Sequence, residues 1–486
     1  MAKRWSAMVA IALVVIGVIS LRERRLATTD PLASERHAEQ AFLVEPYLQL
    51  GDPPTHQPTR SLTLVWQTAD RQADWSVDYK VGADERWRST PEPAFDRVAM
   101  LGVPPHRVYH AKLDLRDADG SVPYRVKKGG ETVFTALARS PKDASKPYRF
   151  VVFGDCGANS ADQKAIACET FKSQPDFVMI TGDIVYGQGL ISEYLTNFWP
   201  IYNADHAAPE VGAPLMRTTL FAAAIGNHDV AGRNLLKTPD GLAYFLYWDQ
   251  PRSPAGSRAP TPLMGPADRI KAFVDSTAGR YPTMNNFSFE YGNSHWTVLD
   301  SNPYVDWTNQ ALRDWGIQDL AAAGKATWRF VAFHHPGFNS SRAHFDNQQT
   351  RLLADVFEAG KVDLVFAGHV HNYQRSHPLR FIPRRDPGGA VARKGELVLG
   401  TWSLDRDFDG QTHTKATAPI YLITGAGGNH LYNPEQQDDQ ASWQSFTARF
   451  ISKTSSYTRV DVDGSGLVAR QLDPQGNELD RFSLSK

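Results

Sequence analysis

Hydrophobic and polar residues follow three patterns along this chain. From Val44 to about residue 142 they alternate, in SLTLVWQT (Ser61 to Thr68), WSVDYKV (Trp75 to Val81), HRVYHAKLDL (His106 to Leu115), VPYRVKK (Val122 to Lys128) and ETVFTAL (Glu131 to Leu137). Alternation puts every second side chain on one face, which suits strands with one dry and one wet face. The turn-forming stretches GDPP, DADG and KKGG lie among them. Short strands with such punctuation predict a β-sandwich of about 100 residues.

The texture changes after Pro141 to Tyr148. YRFVVFG, DFVMITG, LFAAAIG, WRFVAFHH and VDLVFAG are apolar without a break, as strands buried on both faces must be. Helix-like stretches separate several of them: Ala161 to Ser173, Gln310 to Gly324 and Gln348 to Gly360. SFEYGNSHWTVLDS predicts a hairpin turning at Gly292, and APIYLITGAGGNH and YTRVDVDGSGLVARQL predict further strands. The Pro-, Gly- and Ser-rich stretch from Asp249 to Pro266 predicts a long surface loop. The expected class is α/β, a β-sandwich flanked by helices over residues 146–486 and preceded by the all-β module of residues 42–142.

The third pattern is at the start. Lys3 and Arg4 precede an apolar run from Ala7 to Leu21, and Arg22, Arg24 and Arg25 follow it. Residues 1–25 fit an export signal or a retained membrane anchor, and residues 26–41 fit a linker. The protein is therefore expected to be exported, periplasmic or secreted, with any membrane contact made through this segment.

Composition narrows the partners. Over 486 residues, 42% are hydrophobic and 22% charged, enough to build a core. A net charge of -1 gives no basic field for nucleic acid, so an anionic substrate must be caught by local charges. Cys156 and Cys168 exclude a disulfide framework but leave a single bridge open.

Each continuous apolar run ends in residues that can bind metal: Gly154-Asp155-Cys156-Gly157, Gly182-Asp183-Ile184-Val185-Tyr186, Gly226-Asn227-His228-Asp229, His334-His335-Pro336 and His369-Val370-His371. Alone, each reads as a turn or a cap. Together, at the ends of five neighbouring strands, they predict one site outside the carboxyl edge of a sheet. Cys156 has no identifiable activating base, and GAGG lacks the Lys-Ser or Lys-Thr of a nucleotide loop. His335 and Arg375 are read as structural, and Trp307 and Trp402 as packing residues.

In order and spacing these blocks resemble the calcineurin-like metallophosphoesterases. GDCG, with Tyr186 three residues after Asp183, is similar to the purple acid phosphatases within that group, as are GHVHNYQR, YGNSHWTVLDSN and ITGAGGNH. The resemblance implies a plant-like member with a fibronectin type III-like domain before the catalytic one. It also implies two metals. Asp155, Asp183, Tyr186 and His371 would hold Fe(III), and Asp183 would bridge to a divalent Zn, Mn or Fe held by Asn227, His334 and His369. The first set, two carboxylates and a phenolate, suits a hard trivalent ion; the second suits a divalent one. His228 and His344, the latter ten residues after His334, would contact the phosphoryl group, with Asp229 orienting His228. The implied reaction is acid hydrolysis of a small phosphate monoester by metal-activated hydroxide. A phosphodiesterase or nucleotide-cleaving enzyme, and a catalytically dead surface-binding protein, are the alternatives. Oligomeric state, natural substrate and the second metal stay open.

Overall fold

The computed structural model describes residues 41–82, 86–230, 235, 238–252, 261–277, 279–281 and 284–486. The export or anchor segment, the linker up to residue 40 and the loop stretch 253–260 lie outside the described residues. Among the described residues no helix is long and apolar enough to cross a membrane.

The five continuous apolar runs form the strands Tyr148–Phe153, Phe177–Ile180, Leu220–Ala223, Trp328–Ala332 and Leu364–Ala367. Apart from Arg149 and Arg329, every residue in them is buried. They do not share one open sheet. The first three run parallel, side by side, in a ten-stranded sheet. The last two run parallel in a seven-stranded sheet, between Ser294–Val298 and Ile420–Thr424.

The reason lies in the strands themselves. A strand apolar on both faces needs cover on both. Here one face of each sheet meets the other sheet through an aromatic layer. Phe150 packs against Trp296 at 5.0 Å and Phe330 at 5.4 Å, and Phe177 against Tyr291 at 4.6 Å. Burying one such ring contributes about 1.5–3 kcal/mol. Helices lie among the connections between strands. Ala161–Ser173 starts where Ser160 Oγ accepts from the Gln163 backbone N–H at 3.0 Å, and it ends at Gln174 in left-handed backbone. Gln310–Ala322 is capped by Asn309. The third expected helix begins as a 3-10 turn, Gln349–Leu353, and becomes α-helical only over Ala354–Ala359.

The alternating runs form strands too. Arg88–Ser89, Trp75–Tyr79, Ser121–Lys128 and Glu131–Arg139 make a four-stranded sheet. Val44–Gln49, Ser61–Ala69, Val103–Asp114 and Ala94–Met100 instead extend the ten-stranded sheet. Trp66 stacks on Tyr109 at 5.3 Å and meets Trp75 of the four-stranded sheet at 5.8 Å. The junction is Val44–Gln49, which lies parallel to Leu220–Ala223. Val44–Lys486 forms one compact unit.

Candidate metal centre

Although their strands belong to two sheets, the five loops meet. The turns that bring them together are tight. Asp155, Asp183 and His369 all have left-handed backbone, at φ 58°, 51° and 66°. Non-glycine residues take that conformation at a cost, and such strain gathers at functional sites. Gly226 shows how close the loops approach, because a Cβ there would lie 2.2 Å from the Asp183 backbone nitrogen. Only glycine fits.

One half of the site gathers around His334. Its Nδ1 lies 2.8 Å from the Thr181 carbonyl oxygen, so Nδ1 carries the proton and donates it there. In the neutral ring Nε2 is then a bare lone pair. It faces Asn227 Oδ1 at 3.1 Å and Asp183 Oδ1 at 3.3 Å. The other half gathers around His371 in the same way. Its Nδ1 donates to the His430 carbonyl at 2.7 Å, and Nε2 faces Tyr186 Oη at 2.9 Å and Asp155 Oδ1 at 3.3 Å. Tyr186 Oη is also 3.1 Å from Asp155 Oδ1, and one phenol proton cannot serve both neighbours. Acceptors facing acceptors in a buried site call for cations between them. The donor set therefore fits metal ions. Here the ligand atoms of Asp155, Asp183 and His334 lie within 4.8 Å of one another, as do those of His334, His335 and His369.

The electrostatics agree. Burial pushes the Asp183 carboxyl up, yet the His334 and His228 rings outweigh it and hold it below the usual range. Burial disfavours the His334 imidazolium, yet Asp183 pulls that ring above its ordinary value. Without metal, a proton on His334 balances Asp183, and a cation bound between them would take that proton's place. Burial, followed by Asp155 and Asp183, holds the Tyr186 phenol well above its ordinary value. Only a nearby cation could release that proton near neutral pH.

The other expected site residues take varied places. His228 Nδ1 donates to the Gly187 carbonyl at 3.1 Å, which leaves Nε2 available, and its ring lies 4.7 Å from that of Tyr186. The exposed His344 has its ring 4.1 Å from His369 and 5.4 Å from Tyr432. Asp229 does not orient His228. Its carboxylate turns inward and accepts backbone N–H groups from Ile184 at 2.8 Å, Val185 at 3.3 Å and Gly226 at 2.7 Å. It ties the Asp183 loop to the Asn227 loop, and burial plus Asp183 raise its pKa.

His335 is no ligand by tautomer. Ser301 Oγ accepts from the His334 and His335 backbone N–H groups at 3.1 and 2.8 Å, so its own proton goes to His335 Nδ1 at 3.0 Å. That leaves the ring proton on Nε2. Cys156 and Cys168 are buried free thiols, and burial pushes the Cys156 thiol well up. Arg375 pairs with Asp480 at 2.7 and 3.0 Å.

Four supporting residues escaped sequence reasoning. The Asn347 side chain holds His369 Nε2 at 3.1 Å, Asn429 hydrogen-bonds the Tyr186 phenol, and Tyr432 stacks on His371 at 4.1 Å. His430 acts through its carbonyl, which no side-chain pattern reveals.

Residues 148–373, which span all seven expected ligands, match the calcineurin-like phosphoesterase family model. A phosphoenolpyruvate phosphatase of Allium cepa is 27% identical over 66% of this chain and 57% of its own. Purple acid phosphatase 23 of Arabidopsis thaliana is 25% identical over 60% of each chain. This chain thus spans under two thirds of the length of these relatives. The structure of a purple acid phosphatase from yellow lupin (Lupinus luteus) seeds superposes with a TM-score of 0.63 at 16% identity, over 90% of this chain and 74% of that one. With the candidate ligand loops meeting as they do, residues 148–373 match the calcineurin-like phosphoesterases, the chain is similar in sequence to purple acid phosphatases, and it shares the fold of the lupin one.

Proposed function

We propose that this chain is an exported acid phosphatase that hydrolyses small phosphate monoesters at a dinuclear metal centre. The observation that carries the reading is the facing of bare acceptors at His334 and His371. Asp155, Asp183, Tyr186 and His371 would hold Fe(III). Asp183 would be shared with a divalent Zn, Mn or Fe held by Asn227, His334 and His369. When bound, such ions neutralise phosphate charge and supply a nucleophilic oxygen from water at mildly acidic pH.

The chain's own groups do the rest. Thr181 O and His430 O fix the two imidazoles as lone-pair donors. With Nδ1–H held by the Gly187 carbonyl, His228 donates to a phosphoryl oxygen through Nε2 as the doubly protonated imidazolium. His344, against His369 and Tyr432, gives the leaving oxygen a proton. Residues 42–142 serve as a fibronectin type III-like module beside the catalytic residues 146–486.

The test compares rates on a phosphate monoester and a diester together with metal content. The reading expects iron plus a second metal, and faster turnover of the monoester. A diester cleaved faster at saturation would move the assignment to a phosphodiesterase. A metal-loaded protein inactive on both would leave a binding protein.

A further inference from the structure

A second histidine cluster lies at the other end of the same sheet. His295 is in register with Arg329, at the start of the strand whose far end leads to His334. His295 comes from strand Ser294–Val298 and Asp319 from helix Gln310–Ala322. His56 comes from the connection between Val44–Gln49 and Ser61–Ala69. Their ligand atoms all lie within 4.8 Å of one another.

We propose that His56, His295 and Asp319 form a separate site for a divalent cation of the zinc type. His295 Nδ1 donates to Glu290 Oε1 at 2.7 Å, the carboxylate partner that turns a ligating imidazole into a better donor. His295 Nε2 then faces Asp319 Oδ2 at 3.0 Å, and His56 Nε2 faces Asp319 Oδ1 at 3.5 Å. In a tetrahedral zinc site the ligands stand about 3.3 Å apart, from bonds of about 2.0–2.1 Å.

The carboxylate is held for this task. Ser288 Oγ donates to Asp319 Oδ1 at 2.6 Å, and Thr297 Oγ1 to Oδ2 at 2.7 Å. His295 and Asp319 are buried, whereas the His56 side chain is 29% exposed. Solvent can therefore reach the fourth position and the ion has an entry path. His56 also has left-handed backbone, φ 57°, and its ring stacks on His295 at 5.3 Å and 13°. A strained residue on an exposed connection is aimed at a buried pair from two other elements. The ion would fasten that connection to the sheet and the helix, a structural role apart from catalysis.

The experiment uses the full chain, loaded with zinc and freed of loose metal by gel filtration, with metal counted per chain. His56→Ala should hold one zinc ion fewer than wild type while keeping its phosphatase rate. His56→Phe should lose the same ion while keeping the stacked ring, which separates ligand loss from misfolding. Zinc should raise the melting temperature of wild type more than that of either variant. Equal metal content in wild type and both variants would overturn the proposal and leave a cluster held by a proton on His295. Because the count is a difference, it does not depend on what the strand-end centre holds.

Discussion

The two ends of the seven-stranded sheet carry histidines in opposite company. At the carboxyl end, His334 and His371 turn one nitrogen each to a backbone carbonyl. A carbonyl fixes the tautomer without supplying charge, so Nε2 is left to share a proton, or a metal ion in its place, with the carboxylate opposite. At the amino end, His295 lies between Glu290 and Asp319, and these pull its pKa up to about 9 against the effect of burial. That cluster can balance its own charge with a proton. The same residue types thus fit the proposed chemistry at one end and cohesion at the other. The second partner of each imidazole makes the difference.

Substitutions can break this contrast. The largest effect belongs to Asp183→Asn, which removes the carboxylate proposed to be shared by both metals. Activity should fall about a thousandfold or more, since a metal supplies several kcal/mol to the reaction and each factor of ten is about 1.4 kcal/mol. Metal analysis should find both ions depleted, and retained full activity would refute the bridge. His344→Ala should keep both metals and lose about a hundredfold in turnover, the lower range for a proton donor. An unchanged rate would remove His344 from the reaction. At the other end, His295→Ala should cost about 3–5 kcal/mol of stability by stranding buried carboxylates, with the rate per folded molecule unchanged. Denaturant titration beside a rate assay checks both halves of that statement.

A smaller effect calibrates the contrast, from a pair outside both clusters. Burial opposes ionisation of Asp480, but its hydrogen bonds with Arg375 outweigh this and keep its pKa below the ordinary value. A depressed folded pKa stabilises fully above the unfolded value of about 3.9 and loses that contribution as pH falls through the folded value. The stability gap between wild type and Arg375→Met should therefore narrow as pH drops below about 4. Urea melts at several pH values measure it, and a gap that widens in acid would contradict the assignment.

Much of this was legible in residue order, for identifiable reasons. Unbroken apolar runs marked the five strands that lead to the candidate ligands because burial on both faces leaves no polar position. Those runs did not disclose that the strands divide between two sheets, since a pattern records which faces are dry and not which neighbour dries them. The strands Tyr373–Ser376, Thr447–Ile451 and Glu478–Ser485 are short or mixed and gave little signal. The candidate ligands were readable as side chains, but the carbonyl partners of their imidazoles at Thr181 and His430 were not. Asp229 misled because adjacency suggested contact with His228, whereas the turn sends its carboxylate inward to backbone N–H groups.

The junction at Val44–Gln49 has a practical consequence for anyone wishing to trim the chain. That strand occupies the flank of Leu220–Ala223, the strand that delivers Asn227, and Tyr47 Oη donates to the Tyr247 carbonyl at 2.9 Å nearby. A fragment starting near residue 146 would leave that flank open, with unpaired amides ready to join another molecule. Expressed by itself, such a fragment should precipitate or self-associate. The leading strands are less an appendage to the candidate metal centre's domain than the wall that closes it.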